Sequence, residues 1–240
     1  MKGIILDAGP IISLSINNLL WLFEELKKTT SINFYITPAV KSEVFDRPIT
    51  TKKFKIKAIQ TLDLISEGII ELVECDNDFV KKTLQLANSC FYSKGENIKV
   101  AHLGEIEAIC ASIEHAISTL VIDESNMRLM IEDTEGLKKR LSSKLHAYIG
   151  EDKENIKKFK SLTSRINLIR SSELVGIAYE KGLFERWKDK NQENYIENID
   201  ESILDGILWG VKLAGCSITP AEIDELKEYL LKKNKERELA

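Results

Sequence analysis

Aspartates that close short apolar runs are the residues of this chain best placed to do chemistry. Gly3 to Leu6 is a β-type run that ends at Asp7, and Thr119 to Ile122 is another that ends at Asp123 and Glu124. A carboxylate at the end of a buried strand is costly to desolvate unless it is paired or bound to a metal ion. Each aspartate also has an ordinary alternative, which is to cap the helix that follows it. Asp7 precedes Ala8-Gly9-Pro10, and Asp123 precedes a helical segment. Glu43, on a short helix after the second strand, and Glu105, in the first turn of a helix over Gly104 to Ile117, tilt the balance toward a shared site. Glu107 is the alternative to Glu105, but two residues along a helix turn by about 200°, so both cannot face one place. Glu107 is expected to face solvent or a lysine. Asp46 rivals Glu43, yet beside Arg47 and Pro48 it reads as a turn cap. Gathered carboxylates supply only oxygen, which suits hard cations such as Mg²⁺ or Mn²⁺ rather than zinc. None of the 3 histidines has a metal-ligand spacing, and His102 reads as structural or solvated.

Strand and helix signals must alternate to bring these acids together, and they do. A helical period runs from Ile11 to Lys28, a strand follows over Ile32 to Ile36, and Pro38 sits where a helix start tolerates it. Thr50 to Glu67 reads as helix, Ile69 to Val73 as strand and Asp76 to Cys90 as amphipathic helix. Phe91 to Val100 reads as a polar loop. After Asp123 the chain is charged and mostly helical from Asn126 to Lys160, with a strand over Arg165 to Ile169. The rest is helical: Glu173 to Lys181, Ile203 to Leu213 and Pro220 to Lys232, with a polar linker over Asp189 to Glu201. Strands alternating with helices predict an α/β fold with a parallel sheet flanked by helices. The expected division is an α/β domain over residues 1–182, carrying a charged helical insertion at about 131–163, and a helical C-terminal extension over 183–240. In such a sheet, functional groups collect at the carboxyl ends of the strands.

Four segments in order resemble the PIN-domain family of metal-dependent ribonucleases. Leu6-Asp7-Ala8-Gly9-Pro10-Ile11-Ile12-Ser13-Leu14 is similar to that family's opening acidic motif, and Val40-Lys41-Ser42-Glu43-Val44 to its second. Leu103-Gly104-Glu105-Ile106-Glu107-Ala108-Ile109 resembles the third. Leu120 to Arg128 resembles the fourth, in which one or two acids close a strand and an Arg follows. The resemblance covers roughly residues 1 to 130, and Arg165 to Gly182 would supply the last strand and helix. It implies that Asp7, Glu43, Glu105 and Asp123 are catalytic and hold Mg²⁺ or Mn²⁺, with Glu124 a second candidate ligand at the fourth position. The metal would activate a water for in-line attack at phosphorus and stabilise the leaving oxygen. RNA is then the expected substrate. An antitoxin or other protein, or a second copy of the chain, is a candidate partner, as for toxin-type members of the family.

Bulk properties constrain this reading loosely. The chain has 240 residues, 43% hydrophobic and 30% charged, with a formal net charge of −4, so it is not basic overall. Lysines nevertheless cluster at Lys52, Lys53, Lys55 and Lys57, at Lys138, Lys139, Arg140 and Lys144, and at Lys157, Lys158 and Lys160. Such clusters bind phosphate backbones only where they converge on one face. Arg128 offers a planar fork for phosphate, or an internal bridge to Asp7 or Glu124. The 4 cysteines are scattered without a CxxC pair and read as buried thiols. The apolar stretch at the N-terminus is too short for a signal peptide and no window spans a membrane, so a cytoplasmic protein is expected. A catalytically weak scaffold that keeps the fold and binds nucleic acid is the second reading. A metal-dependent phosphatase ranks last, because it wants a second Asp where Gly9 stands.

Overall fold

Alternation along the strands sorts the apolar side chains to two faces of one sheet. The computed structural model describes residues 3–188 and 195–238. Its main sheet contains β1 (Gly3–Leu6), β2 (Asn33–Ile36), β3 (Ile70–Leu72), β6 (Thr119–Val121) and β8 (Asn167–Ile169). The order is β3-β2-β1-β6-β8 and every pairing is parallel. Ile4 and Leu6 point to one core with Phe34, Ile36 and Val121. Ile5 points to the other with Tyr35, Leu120 and Ile122. Both faces are buried along the central strands β1, β2 and β6, so those strands read as largely apolar runs.

The first core is closed by α1 (Ala8–Ile16), α2 (Trp21–Thr30) and α10 (Ser171–Glu180), together with the C-terminal helices α11 (Ile199–Leu213) and α12 (Pro220–Glu238). Leu204, Leu208, Val211, Ile223 and Leu230 of the C-terminal helices are buried in it. Those helices therefore extend the core rather than hang from it. The second core is closed by α5 (Asn77–Asn88), α6 (Leu103–Glu114), α7 (Ser125–Glu132), α8 (Thr134–Leu145) and α9 (Lys153–Thr163). Two further helices follow β2: α3 (Pro38–Lys41), and α4 (Lys55–Ser66) leading back to β3.

Two expectations about elements are corrected. The helical period from Ile11 to Lys28 is two helices, because Asn18 takes a left-handed φ of 56° between α1 and α2. Phe91 to Val100 is not a plain loop. It contains β4 (Phe91–Ser93) and β5 (Glu96–Asn97), which form an antiparallel hairpin, and β7 (Gly150–Glu151) adds to it from the charged segment. The polar linker expected over Asp189 to Glu201 lies in part, at 189–194, outside the described residues. Of the four cysteines, Cys90, Cys110 and Cys216 are buried, while Cys75 is partly exposed, and all are free thiols. No helix among the described residues is long and apolar enough to cross a membrane.

Candidate metal centre

Neighbours of β1 lie on both sides of it, β2 on one and β6 on the other, and its carboxyl end opens on the crevice where the order of strands reverses. Asp7 sits at that point. Its backbone N–H still pairs with the Val121 carbonyl at 3.0 Å, so the strand register fixes the residue. Helix α1 begins at once at Ala8, with Pro10 in its first turn, where a missing N–H costs nothing. The Asp7 side chain makes no well-aligned capping hydrogen bond to α1, although the Ala8 and Gly9 amides at the start of that helix favour its charge. It is 7% exposed.

Glu43 approaches from the segment after β2. There the α-helical turn Pro38–Lys41 widens into a π-helical one over Ser42–Asp46. Such widened turns are frequent where a side chain must be re-aimed into a site. Glu105 approaches from the first turn of α6, where its Oε2 accepts the His102 N–H at 2.8 Å. Two glycines let these pieces meet. A Cβ on Gly104 would lie 3.2 Å from Glu43 Oε1 and 4.0 Å from Asp7 Oδ1. A Cβ on Gly9 would lie 3.4 Å from Asp123 Cβ and 3.7 Å from Asp7 Oδ2. The Asp7 carboxylate is thus flanked by Glu43 on one side and Asp123 on the other.

Electrostatics show how closely the acids crowd. Burial pushes the Asp7 carboxyl up to about 6, the Ala8 and Gly9 amides offset this in part, and the charges of Glu43 and Asp123 raise it further. Burial likewise pushes Glu105 up to about 8 against the lowering effect of the His102 amide, with Asp7, Glu124 and Glu43 adding repulsion. The neighbouring charges that act most strongly on Asp7 and on Glu105 are all carboxylates. Desolvated like charges gathered in this way are an arrangement that a bound cation would relieve.

The strand-end acids of the fourth segment divide their duties. Asp123 is 2% exposed, and its oxygens are already engaged. Oδ1 accepts the Ser171 N–H at 2.8 Å, while Oδ2 accepts the Ser13 hydroxyl at 3.0 Å and the Ser171 hydroxyl at 2.8 Å. Glu124 is half-buried and caps α7, its Oε2 accepting the Met127 N–H at 2.9 Å. Among the described residues, no three His, Cys, Asp or Glu side chains are drawn together as a ready-made metal cage. Asp7 instead lies near Glu43 at Gly104 and near Asp123 at Gly9, while Glu105 feels the charges of Asp7, Glu124 and Glu43. The donor set is carboxylate oxygen throughout and fits a hard divalent cation.

Other side chains fall differently from expectation. Glu107 is partly exposed and meets no lysine among the described residues; its Oε2 accepts the Ala39 N–H at 2.7 Å and caps α3. Asp46 pairs with Lys41 at 2.9 Å rather than capping a turn. Arg128 bridges neither Asp7 nor Glu124 but Glu132, one turn along its own helix, at 3.2 Å. Sequence reasoning missed Ser13 and Ser171, which hold Asp123 from 110 and 48 residues away. It also missed buried Arg170, which pairs with Glu173 and with Glu222 of α12 and donates to the Ser217 carbonyl at 3.3 Å. Ser217 in turn donates its N–H to the Asp123 carbonyl at 3.1 Å. The turn between α11 and α12 is therefore fastened to the backbone of the acid centre.

Residues 3–140 match the family described as a PIN domain, DUF3368. No curated protein and no solved structure matches the chain.

Proposed function

Starting from the chain's membership of the PIN-domain family, whose members are generally nucleases and typically use divalent metals, we propose that it is an Mg²⁺- or Mn²⁺-dependent endoribonuclease. The observation that carries this reading is the approach of Asp7 and Glu43, from separate segments, to the missing side chain of Gly104, with Glu105 repelled by both carboxylates.

Asp7, Glu43, Glu105 and Asp123 would hold the cation, with Glu124 as an accessory. Bound there, the metal would supply an activated water and a counter-charge for the leaving oxygen of a phosphodiester. The protein's own part is to aim the ligands. Ser13 and Ser171 fix the rotamer of Asp123, the His102 amide fixes one oxygen of Glu105, and the β1 register fixes Asp7. Burial of Asp7 and Glu105 keeps competing water from the ligands, so each charge acts at low dielectric.

The test is cleavage of single-stranded RNA by the purified chain with Mn²⁺, with chelator, and after Asp7→Asn. Cleavage is expected only with Mn²⁺ and only in the native sequence. In parallel, Mn²⁺ at a hundred times its dissociation constant should stabilise the native fold by about 2.7 kcal/mol and raise its melting temperature. Asp7→Asn should lose that gain. RNA binding without any Mn²⁺-dependent cleavage would favour the scaffold reading instead.

A further inference from the structure

Beside the acids lies an apolar cleft of about 220 Å³ between α1, the π-helical turn and α4. Its walls include Ile12, Ser15 and Ile16 of α1, Glu43, and Phe54 and Lys57 at the start of α4. Three features distinguish it from ordinary packing. Ile12, Ile16 and Phe54 leave 38%, 48% and 39% of their surface to solvent, so this part of the apolar lining is not fully covered by the described residues. Ser15, 5% exposed, keeps a buried hydroxyl oxygen without a hydrogen-bond partner among the described residues. Glu43 is shared with the acid cluster.

A ligand reaching from this cleft to the acids must be flat and apolar at one end, with one hydrogen-bonding edge, and anionic enough at the other to meet a metal. The rim agrees with an anionic chain. Lys52, Lys53 and Lys55 are exposed on the segment that carries Phe54, and Lys53 Nζ lies 4.9 Å from the Phe54 ring centre. Lys57 donates to Asn18 Oδ1 at 2.6 Å and so stays at the edge. The volume falls below the roughly 300 Å³ at which pockets for larger ligands begin, which suits a single ring system. Unpaired bases are recognised by stacking on aromatic rings and by hydrogen bonds to their edges, with basic residues along the backbone.

We propose that the cleft is a base-binding subsite that seats one unpaired nucleobase of the RNA next to the phosphate held at the acids. Phe54 stacks on the base, the Ser15 hydroxyl meets its edge, and Lys52, Lys53 and Lys55 attract the adjoining phosphates. The assignment rests on the nuclease reading for its substrate, and it makes the cleft the source of sequence preference.

The test uses the full chain and a set of single-stranded oligoribonucleotides of one sequence, each with one abasic residue at a different place around the scissile bond. Cleavage efficiency is measured with Mn²⁺, and affinity is measured by fluorescence anisotropy without divalent metal, so that the RNA stays intact. One abasic position is expected to lower kcat/KM about 5- to 100-fold, the range expected for loss of one base–aromatic stack. Phe54→Ala should cut the intact RNA at that lower rate and be indifferent to the abasic residue, while Phe54→Tyr restores the difference. Indifference of the native chain at every position, or undiminished discrimination in Phe54→Ala, overturns the subsite and leaves the nuclease standing. Absence of cleavage of any RNA sinks the nuclease. The metal-free affinities then decide the cleft: a preference for intact over abasic RNA that Phe54→Ala removes supports it. Equal affinities overturn it, which is also the outcome if the cleft receives a protein segment.

Discussion

Replacing Glu105 by Gln should stabilise the metal-free fold, an unusual outcome for a change at a buried polar site. The fold raises the Glu105 carboxyl from 4.5 to about 8, mainly through burial. For an acid raised in the folded state, the unfolded chain binds fewer protons than the folded one between those two values. Stability is therefore full below pH 4.5, falls as pH rises toward 8, and is level above. At pH 7 the loss comes to roughly 3 kcal/mol, at about 1.4 kcal/mol per pH unit above the ordinary value. Gln keeps the shape and an oxygen for the His102 amide while removing the titration. Urea unfolding in chelator at pH 5 and pH 7 reads the effect: a gain of about 3 kcal/mol at pH 7 and about 0.8 kcal/mol at pH 5. With saturating Mn²⁺ the order should reverse, because only the native carboxylate holds the ion. Equal pH slopes for the two proteins would mean that Glu105 does not titrate in a desolvated setting.

Three further substitutions probe how the site is held. Gly104→Ala places a methyl 3.2 Å from Glu43 Oε1 and should push that carboxylate outward; titration calorimetry is expected to show at least tenfold weaker Mn²⁺ binding, about 1.4 kcal/mol, with no loss of melting temperature in chelator. Ser171→Ala removes one of the two hydroxyls on Asp123 Oδ2 and should cost about 1–2 kcal/mol in urea unfolding, and an unchanged midpoint would argue against a tightly held Asp123. Arg170→Met strands Glu173 and frees the Ser217 turn, so it should cost about 3 kcal/mol, at the low end for a buried pair because Glu222 is partly solvated. Thermal melts check that value, and a neutral result would mean the C-terminal turn is not fastened through Arg170.

Local chemistry was legible in the sequence where one segment decides it. The run Gly3 to Leu6 is a strand with the expected bounds, Pro38 is the first residue of α3, and Asp76 caps α5. The acids at positions 7, 43, 105 and 123 stood out by their places after strands and at helix starts, and the resemblance of four segments to the PIN-domain family joined them into one proposed set. What escaped depends on partners far along the chain. The short strands after Phe91 gain a third partner at Gly150–Glu151 that no local alternation announces. The apolar period crosses Asn17 and Asn18 unbroken, so only the left-handed turn there separates α1 from α2. Glu107 looked solvent-bound because its true partner, the Ala39 amide, is 68 residues away. Ser13 and Ser171 carry no sequence signal at all as Asp123 partners. Arg128 differs: its bridge to Glu132 follows the ordinary four-residue helical spacing and was open to being read.

Crystals of the native chain soaked in Mn²⁺ and measured at the manganese absorption edge address the convergence of the acids most directly. One or more anomalous peaks bounded by carboxylate oxygens of Asp7, Glu43 and Glu105 are expected. Manganese bound only elsewhere on the surface, with those three carboxylates unliganded at saturating concentration, would contradict that convergence.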